Sequence, residues 1–191
     1  YPLPVVEFLG SESGLGFFDA GFIAQGGGIL IRPPFFENTS LDIELHITRA
    51  GQPRVTEESD GKNPGYIGRI SFFAKPADEH SFSVTASGYY EDGELPGGFV
   101  NLDVLYMWKP VGEFRSLIIG GEIFFVHHEF VNPVIEEIHT NPIGWFLYAQ
   151  YQIDWHWYAG IRWDEVQSLG NEKVQTDVFS AYLSYYTSEF F

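Results

Sequence analysis

The side chains with the most chemical potential in this sequence are its six histidines and its many carboxylates, since there is no cysteine to supply a thiolate nucleophile, a thiolate metal ligand or a disulfide. His127-His128-Glu129, with His139 a little further along, is the only grouping that suggests a metal ligand set. Neighbouring residues of a strand point to opposite faces, so His127 and His128 cannot hold one ion unless a loop rearranges, and structural or solvated histidines are the competing and simpler reading. Asp42 and Glu44 are two apart, roughly 7 Å between Cα atoms on one strand face, which suits acid–base chemistry and equally suits a hydrated wall. The serines sit in plain alternation with no nucleophile setting. Gly26-Gly27-Gly28 lacks the Lys-Ser/Thr and the helix that a phosphate loop requires, and reads as a bend or bulge in a strand. No residue is expected to be catalytic, and no cofactor is implied.

Charge narrows the partners. Ten Lys and Arg stand against 26 Asp and Glu, a formal charge of −16, which repels phosphate backbones and excludes nucleic acid as a natural partner. Cations and small neutral solutes fit better. Hydrophobic residues make up 45% of the 191 residues and aromatic ones 18%, yet no apolar run approaches the roughly 20 residues of a membrane-spanning helix. The opening Tyr-Pro-Leu-Pro-Val-Val-Glu has no basic segment followed by an apolar core, so a signal peptide is expected to have been removed or to lie outside these residues.

The elements that must position the charged residues are strands. Ser81 to Tyr90 alternates with period two, placing Phe82, Val84, Ala86, Gly88 and Tyr90 on one side and mostly hydroxyls on the other. Leu41 to Thr48, Asn101 to Trp108 and Trp145 to Asp154 repeat the pattern. With Gly26 to Arg32, Tyr66 to Lys75, Phe114 to His127, Trp155 to Asp164 and Thr176 to Tyr186, the chain reads as about nine strands and no helix. Most are long enough to cross a bilayer with tilt, for which about 9–11 residues suffice. Short connections are expected at 33–39, 76–79, 110–113, 154–155 and 187–188, and longer acidic ones at 50–65, 91–98, 128–142 and 165–175. Strict alternation of short and long connections is the expectation for a meander whose two ends face different compartments.

Two sets of residues follow from the parity. The polar side carries Asp42, Glu44, His46, Arg69, Lys75, Asp103, Lys109, Glu122, Asp154, His156 and Arg162, a density of charge that a dry core could not hold without several kcal/mol per unpaired ion. A water-filled lumen removes that cost, and Asp42, Glu44, His46, Arg69, Asp103, Glu122, Tyr148, Gln150 and Arg162 are the expected pore lining, with a plug of paired charges as the alternative. Tyr106, Trp108, Trp155 and Trp157 near the short-turn end, and Trp145 and Trp163 near the long-loop end, read as two interfacial girdles of aromatic rings. Phe191 tempts a reading as the terminal Phe of a finished barrel, but Thr187 and Glu189 fall where the alternation wants apolar residues. The expectation is therefore a piece of a larger barrel, unless the chain closes by pairing with other copies.

Several stretches resemble bacterial porin-like outer-membrane proteins, some of them labelled zinc-regulated, TonB-dependent receptor-like. The likeness runs through Phe8 to Leu15, Tyr106-Met107-Trp108-Lys109-Pro110 with Arg115-Ser116-Leu117, Gly144 to Tyr151, and Tyr185 to Phe190. These are strand ends and turns, so the resemblance implies architecture and location. It implies no catalytic residue, and it places further strands after the segment like Thr187-Ser188-Glu189-Phe190.

The sequence thus leads to an all-β fold, an antiparallel transmembrane β-barrel meander of about nine strands over residues 1–191 as one partial domain, in the bacterial outer membrane. The expected activity is passive diffusion of small hydrophilic solutes with a preference for cations, with outer-membrane lipid as the partner and association with further copies of the chain as an option. A plugged, substrate-specific receptor and a soluble carbohydrate-binding β-sandwich are the alternatives.

Overall fold

The computed structural model describes residues 26–34, 37–49, 64–91, 97–132, 136–168 and 171–186. Ten strands account for nearly all of them: β1 (Gly26–Ile31), β2 (Thr39–Arg49), β3 (Pro64–Ala77), β4 (His80–Glu91), β5 (Gly97–Trp108), β6 (Ser116–Asn132), β7 (Glu136–Thr140), β8 (Ile143–Gln152), β9 (Trp157–Ser168) and β10 (Asn171–Tyr185). They form a single sheet in which sequence neighbours pair antiparallel, in the order β1-β2-β3-β4-β5-β6-β8-β9-β10. Short β7 pairs only with the far end of β6, extending that hairpin beyond the sheet. Among the described residues there is no helix, and β1 and β10 are the two edges of the sheet.

The turns follow from local chemistry. Asn38 takes a left-handed φ of 65° just before β2, a conformation its short polar side chain tolerates. The turn from Pro110 to Glu113 is closed by the Glu113 amide donating to the Pro110 carbonyl at 3.4 Å, with Gly112 at φ 78° supplying the positive dihedral of a type II turn. Between β8 and β9, Asp154 Oδ1 accepts from the backbone N–H groups of His156 at 2.8 Å and Trp157 at 3.0 Å, so one carboxylate holds the turn.

Several expected boundaries move. Within the expected loop 128–142, residues 128–132 and 136–140 are paired as the end of β6 with β7, continuing the β6 ladder. The stretch 165–175 is largely the paired ends of β9 and β10, which only residues 169–170 separate. The turn at 154–155 widens to residues 153–156, so Trp155 belongs to the turn and not to a strand. Connection lengths accordingly do not alternate strictly: the acidic ends of strands that read as loops go on pairing, since backbone hydrogen bonds need partners whatever the side chains carry. The expected turn at 187–188 lies outside the described residues, as does Phe191.

Packing is unlike that of a layered domain. Ala74, Phe146 and Val166 are the only buried hydrophobic residues among those described, and no large side chain is fully enclosed. A single sheet has two faces, and the described residues include no second layer to cover either. The register assigns them: Ile43, Ile70, Ala86, Leu102, Ile123 and Trp145 share one face, while Asp42, Ser71, Thr85, Asp103, Glu122 and Phe146 form a continuous cross-strand row on the other.

Candidate functional site

The apolar face is continuous and open. Ile29, Leu45, Ile47, Ile70, Val100, Leu102, Val104, Leu147, Ile161, Trp163, Phe179 and Leu183 lie on it and are all exposed, Phe179 at 69% and Leu183 at 63%. Monomeric soluble proteins rarely expose contiguous apolar patches beyond a few hundred Å², and this face runs the width of nine strands. Tyr106, Trp108, Trp145, Trp157 and Trp163 all have the register parity of this face. Trp145 and Trp163 meet edge to face at 5.3 Å, and Trp157 leans on Tyr185 at 4.9 Å. Trp155 leaves the set: in its turn it stacks on Phe114 at 3.3 Å.

The polar face brings together most of the charged residues expected from sequence. Asp42, Glu44, His46, Arg69, Asp103, Glu122, Tyr148, Gln150 and Arg162 all have its parity. Lys75 does too, near the strand end, where its ammonium reaches Asp78 at 3.1 Å. Lys109, Asp154 and His156 fall in connections between strands instead.

The polar-face side chains form linked groups. Arg32 donates through Nε and Nη2 to the two oxygens of Asp42, both at 2.7 Å, a bidentate pair that fixes the orientation of both planes. Arg69 reaches Glu44 at 3.2 Å, and His46 Nε2 lies 3.4 Å from the other Glu44 oxygen. Ser71 and Thr85 share a hydrogen bond of 2.9 Å. Ser87 donates to Asn101, whose amide in turn donates to Glu122. Glu122 and Asp103 are direct cross-strand partners, and among the described residues no cation is within ion-pair distance of either. Two carboxylates facing each other are unfavourable in a ladder unless water solvates them.

The most enclosed ion pair was not legible as such. Arg162 donates to both oxygens of Asp164, at 2.8 and 2.9 Å from Nε and 2.5 Å from Nη2, with side-chain exposures of 16% and 11%. The guanidinium also lies 4.0 Å above the Phe146 ring, so its hydrated face is replaced by a π surface. Asp164, Asn101 and Arg32 are the participants that sequence reasoning left out. The signal available was the two-residue spacing of Arg162 and Asp164, hidden because Asp164 fell at an expected strand end.

His127 Nδ1 lies 2.7 Å from Asn141 Oδ1, and in the β6–β7 arm Glu129 is the register partner of His139 and His128 that of Thr140. The side chains of His128, Glu129 and His139 lie outside the described residues. Among the residues that are described, no group of three or more His, Asp or Glu is placed to hold a metal ion.

In the β8–β9 turn, the two backbone N–H donors hold the Asp154 carboxyl below the usual carboxylate range, since they favour its charged form. A depressed folded-state value means that the stabilisation is present above the unfolded-state value and is lost as pH falls through the folded one. Protection of the His156 and Trp157 amides, taken as the exchange rate relative to the intrinsic rate at each pH, should therefore fall only on acidification below that ordinary range. In Asp154→Asn, whose amide oxygen accepts at any pH, that protection should not change with pH.

Comparison with protein-family models, with curated proteins and with solved structures finds no match to this chain. The functional reading therefore rests on the sheet and its two faces.

Proposed function

We propose that this chain is a sector of an outer-membrane β-barrel wall that passes small hydrophilic solutes by diffusion, with a preference for cations. The observation that carries the reading is the segregation of the faces: one apolar and exposed from β1 to β10 apart from Glu165 and Asp177 near one end of β9 and β10, the other lined by Asp42, Glu44, Asp103, Glu122 and Asp164. A lipid-facing surface accounts for the first and a wet lumen for the second. The dimensions agree. The 12 residues of β5, at about 3.4 Å each and tilted about 45°, cover about 28 Å along a membrane normal, close to the hydrocarbon thickness. Closure would pair the β1 and β10 edges with further strands, because an open edge in lipid leaves backbone groups unsatisfied.

The polar face supports the cation preference. Arg32, Arg69 and Arg162 neutralise Asp42, Glu44 and Asp164, which leaves Asp103 and Glu122 as the carboxylates of this row with no ion-pair partner among the described residues. Acidic rings favour cations in pores. In planar bilayers under a KCl gradient, the reversal potential should have the sign of a cation-selective pore. Asp103→Asn with Glu122→Gln should move the cation-to-anion permeability ratio severalfold toward unity. Absence of conductance from a barrel shown to be inserted would overturn the open-pore reading in favour of a plugged one, and folding as a detergent-free soluble monomer would overturn the membrane reading altogether.

A further inference from the structure

We infer that the polar face of β8 to β10 carries a stacking platform for neutral saccharides, built from Tyr182, Tyr158 and Tyr186 with Gln150 and Gln152 beside them. The inference rests on the solute-diffusion reading of this face and names the class of solute that it would slow and select.

The platform begins at a glycine. A Cβ added to Gly160 would collide first with Tyr182 Cζ, ahead of Oη and Cε1 on either side of it. An approach in which the middle atom is nearest is an approach to the face of a ring, not to its edge. The Tyr182 ring therefore lies across the β9 backbone at Gly160, and its hydroxyl donates to Gln150 Oε1 on β8 at 2.8 Å. Two strands hold one ring flat. Its other face is turned away from the sheet, and the residue remains 40% exposed.

The rings continue in step. Tyr158 stands two residues from Gly160 on the same side of β9, about 7 Å along the strand, opposite Gln152 on β8 and Ser184 on β10. Tyr186 follows Ser184 by two, its amide bonded to the His156 carbonyl at 2.9 Å, and its ring meets Tyr158 edge to face at 5.2 Å. A cluster of rings in which Tyr158 and Tyr186 are 5.2 Å apart, flanked by side-chain amides, suits what a chain of pyranose units presents: apolar C–H faces for the rings and equatorial hydroxyls for donors and acceptors at the sides.

Charge excludes the other solutes that stack on aromatic rings. Arg162, the nearest cation on β9, is committed to Asp164 and to the Phe146 ring, so it offers no free charge to a phosphate or carboxylate. Asp103 and Glu122 on the same face disfavour anions further. Tyr148 near Gly120 and Tyr89 near Gly65 are also ring-on-glycine approaches of this face, but their ring neighbours are Phe146 and Phe99 and not further tyrosines.

The probe is maltohexaose, a neutral linear saccharide, titrated calorimetrically into the full chain folded in detergent, a measurement that needs no conductance. Weak, saturable binding is expected. Tyr182→Ala and Tyr158→Ala should each raise Kd by about tenfold, the worth of one lost ring contact. Tyr182→Phe keeps the ring and should stay near the native value, and Gly160→Ala, which pushes the ring off the backbone without removing it, should weaken binding. β-sheet circular dichroism identifies any variant that fails to fold, and Tyr158→Ala leaves the Gly160–Tyr182 contact intact should Tyr182→Ala unfold. No binding to native protein, or native binding by folded Tyr182→Ala and Tyr158→Ala, overturns the inference. Failure of the pore reading would instead show as absent conductance with saccharide binding unchanged.

Discussion

Val84→Arg should abolish insertion of the folded sheet into lipid bilayers, while Thr85→Arg, one residue along the same strand, should leave insertion close to native. The two positions differ only in parity. Val84 pairs with Phe72 and Val104 on the apolar face, and Thr85 with Ser71 and Asp103 on the polar one. An arginine on the lipid side of a barrel strand costs about 2–4 kcal/mol at the midplane, where neither water nor counter-ion can reach it. At Thr85 the same guanidinium meets solvent and lies opposite a carboxylate. Reversible folding into phosphatidylcholine vesicles, followed by urea titration, measures both. Equal losses at the two sites would mean that the faces do not look into different media, and the membrane reading would fall with that result.

Arg162→Met should be the most destabilising substitution on the polar face, at about 3 kcal/mol, the low end of the range for breaking an enclosed ion pair from one side. The reason is what remains. Asp164, 11% exposed, would lose the three contacts that Arg162 supplies, and the Phe146 ring offers a carboxylate nothing in exchange. Arg162→Met with Asp164→Leu should recover most of the loss, because removing both charges leaves neither without a partner. Arg69→Met is the comparison: Arg69 and Glu44 are 48% and 27% exposed, so water replaces the missing partner and the cost should stay near that of a surface pair, at most about 1 kcal/mol. Urea midpoints of the three variants, read at constant m-value against the native chain, decide the matter.

These contrasts mark how far the residue pattern alone reaches. Period-two alternation in Ser81 to Tyr90 and in Asn101 to Trp108 was enough to predict β4 and β5 and to assign each of their residues to a face, because side-chain direction in a strand depends only on parity. The same rule assigned each of the nine expected lining residues to the polar side of its own strand, and the register joins those sides into one face. It failed at strand ends. Glu165 to Ser168 and the segment after His127 carry the acidic and polar residues of loops, yet their backbones stay paired, and polarity says little about a ladder whose stabilising groups are in the main chain. Trp155 failed likewise. Its parity fitted the girdle, but the Asp154 carboxylate turns the chain before the strand resumes at Trp157.

By itself, the sequence determined that this protein is built of strands, that each has one polar and one apolar side, and that His127-His128 could not act as a pair on a regular strand. Those properties are local, set by neighbours one and two residues away. Only the tertiary structure decided that these strands join in one sheet, nine of them side by side with their apolar sides on the same face. It also decided that Arg162 is bound to Asp164 while Asp103 faces Glu122, and that Tyr182 on β10 lies over Gly160 on β9. The Asp103–Glu122 and Tyr182–Gly160 contacts depend on register, which backbone hydrogen bonds fix between segments distant in sequence. Even the two-residue spacing of Arg162 and Asp164 acquired its meaning from Phe146 on the neighbouring strand, whose ring closes off one side of the guanidinium and makes the pair an enclosed one.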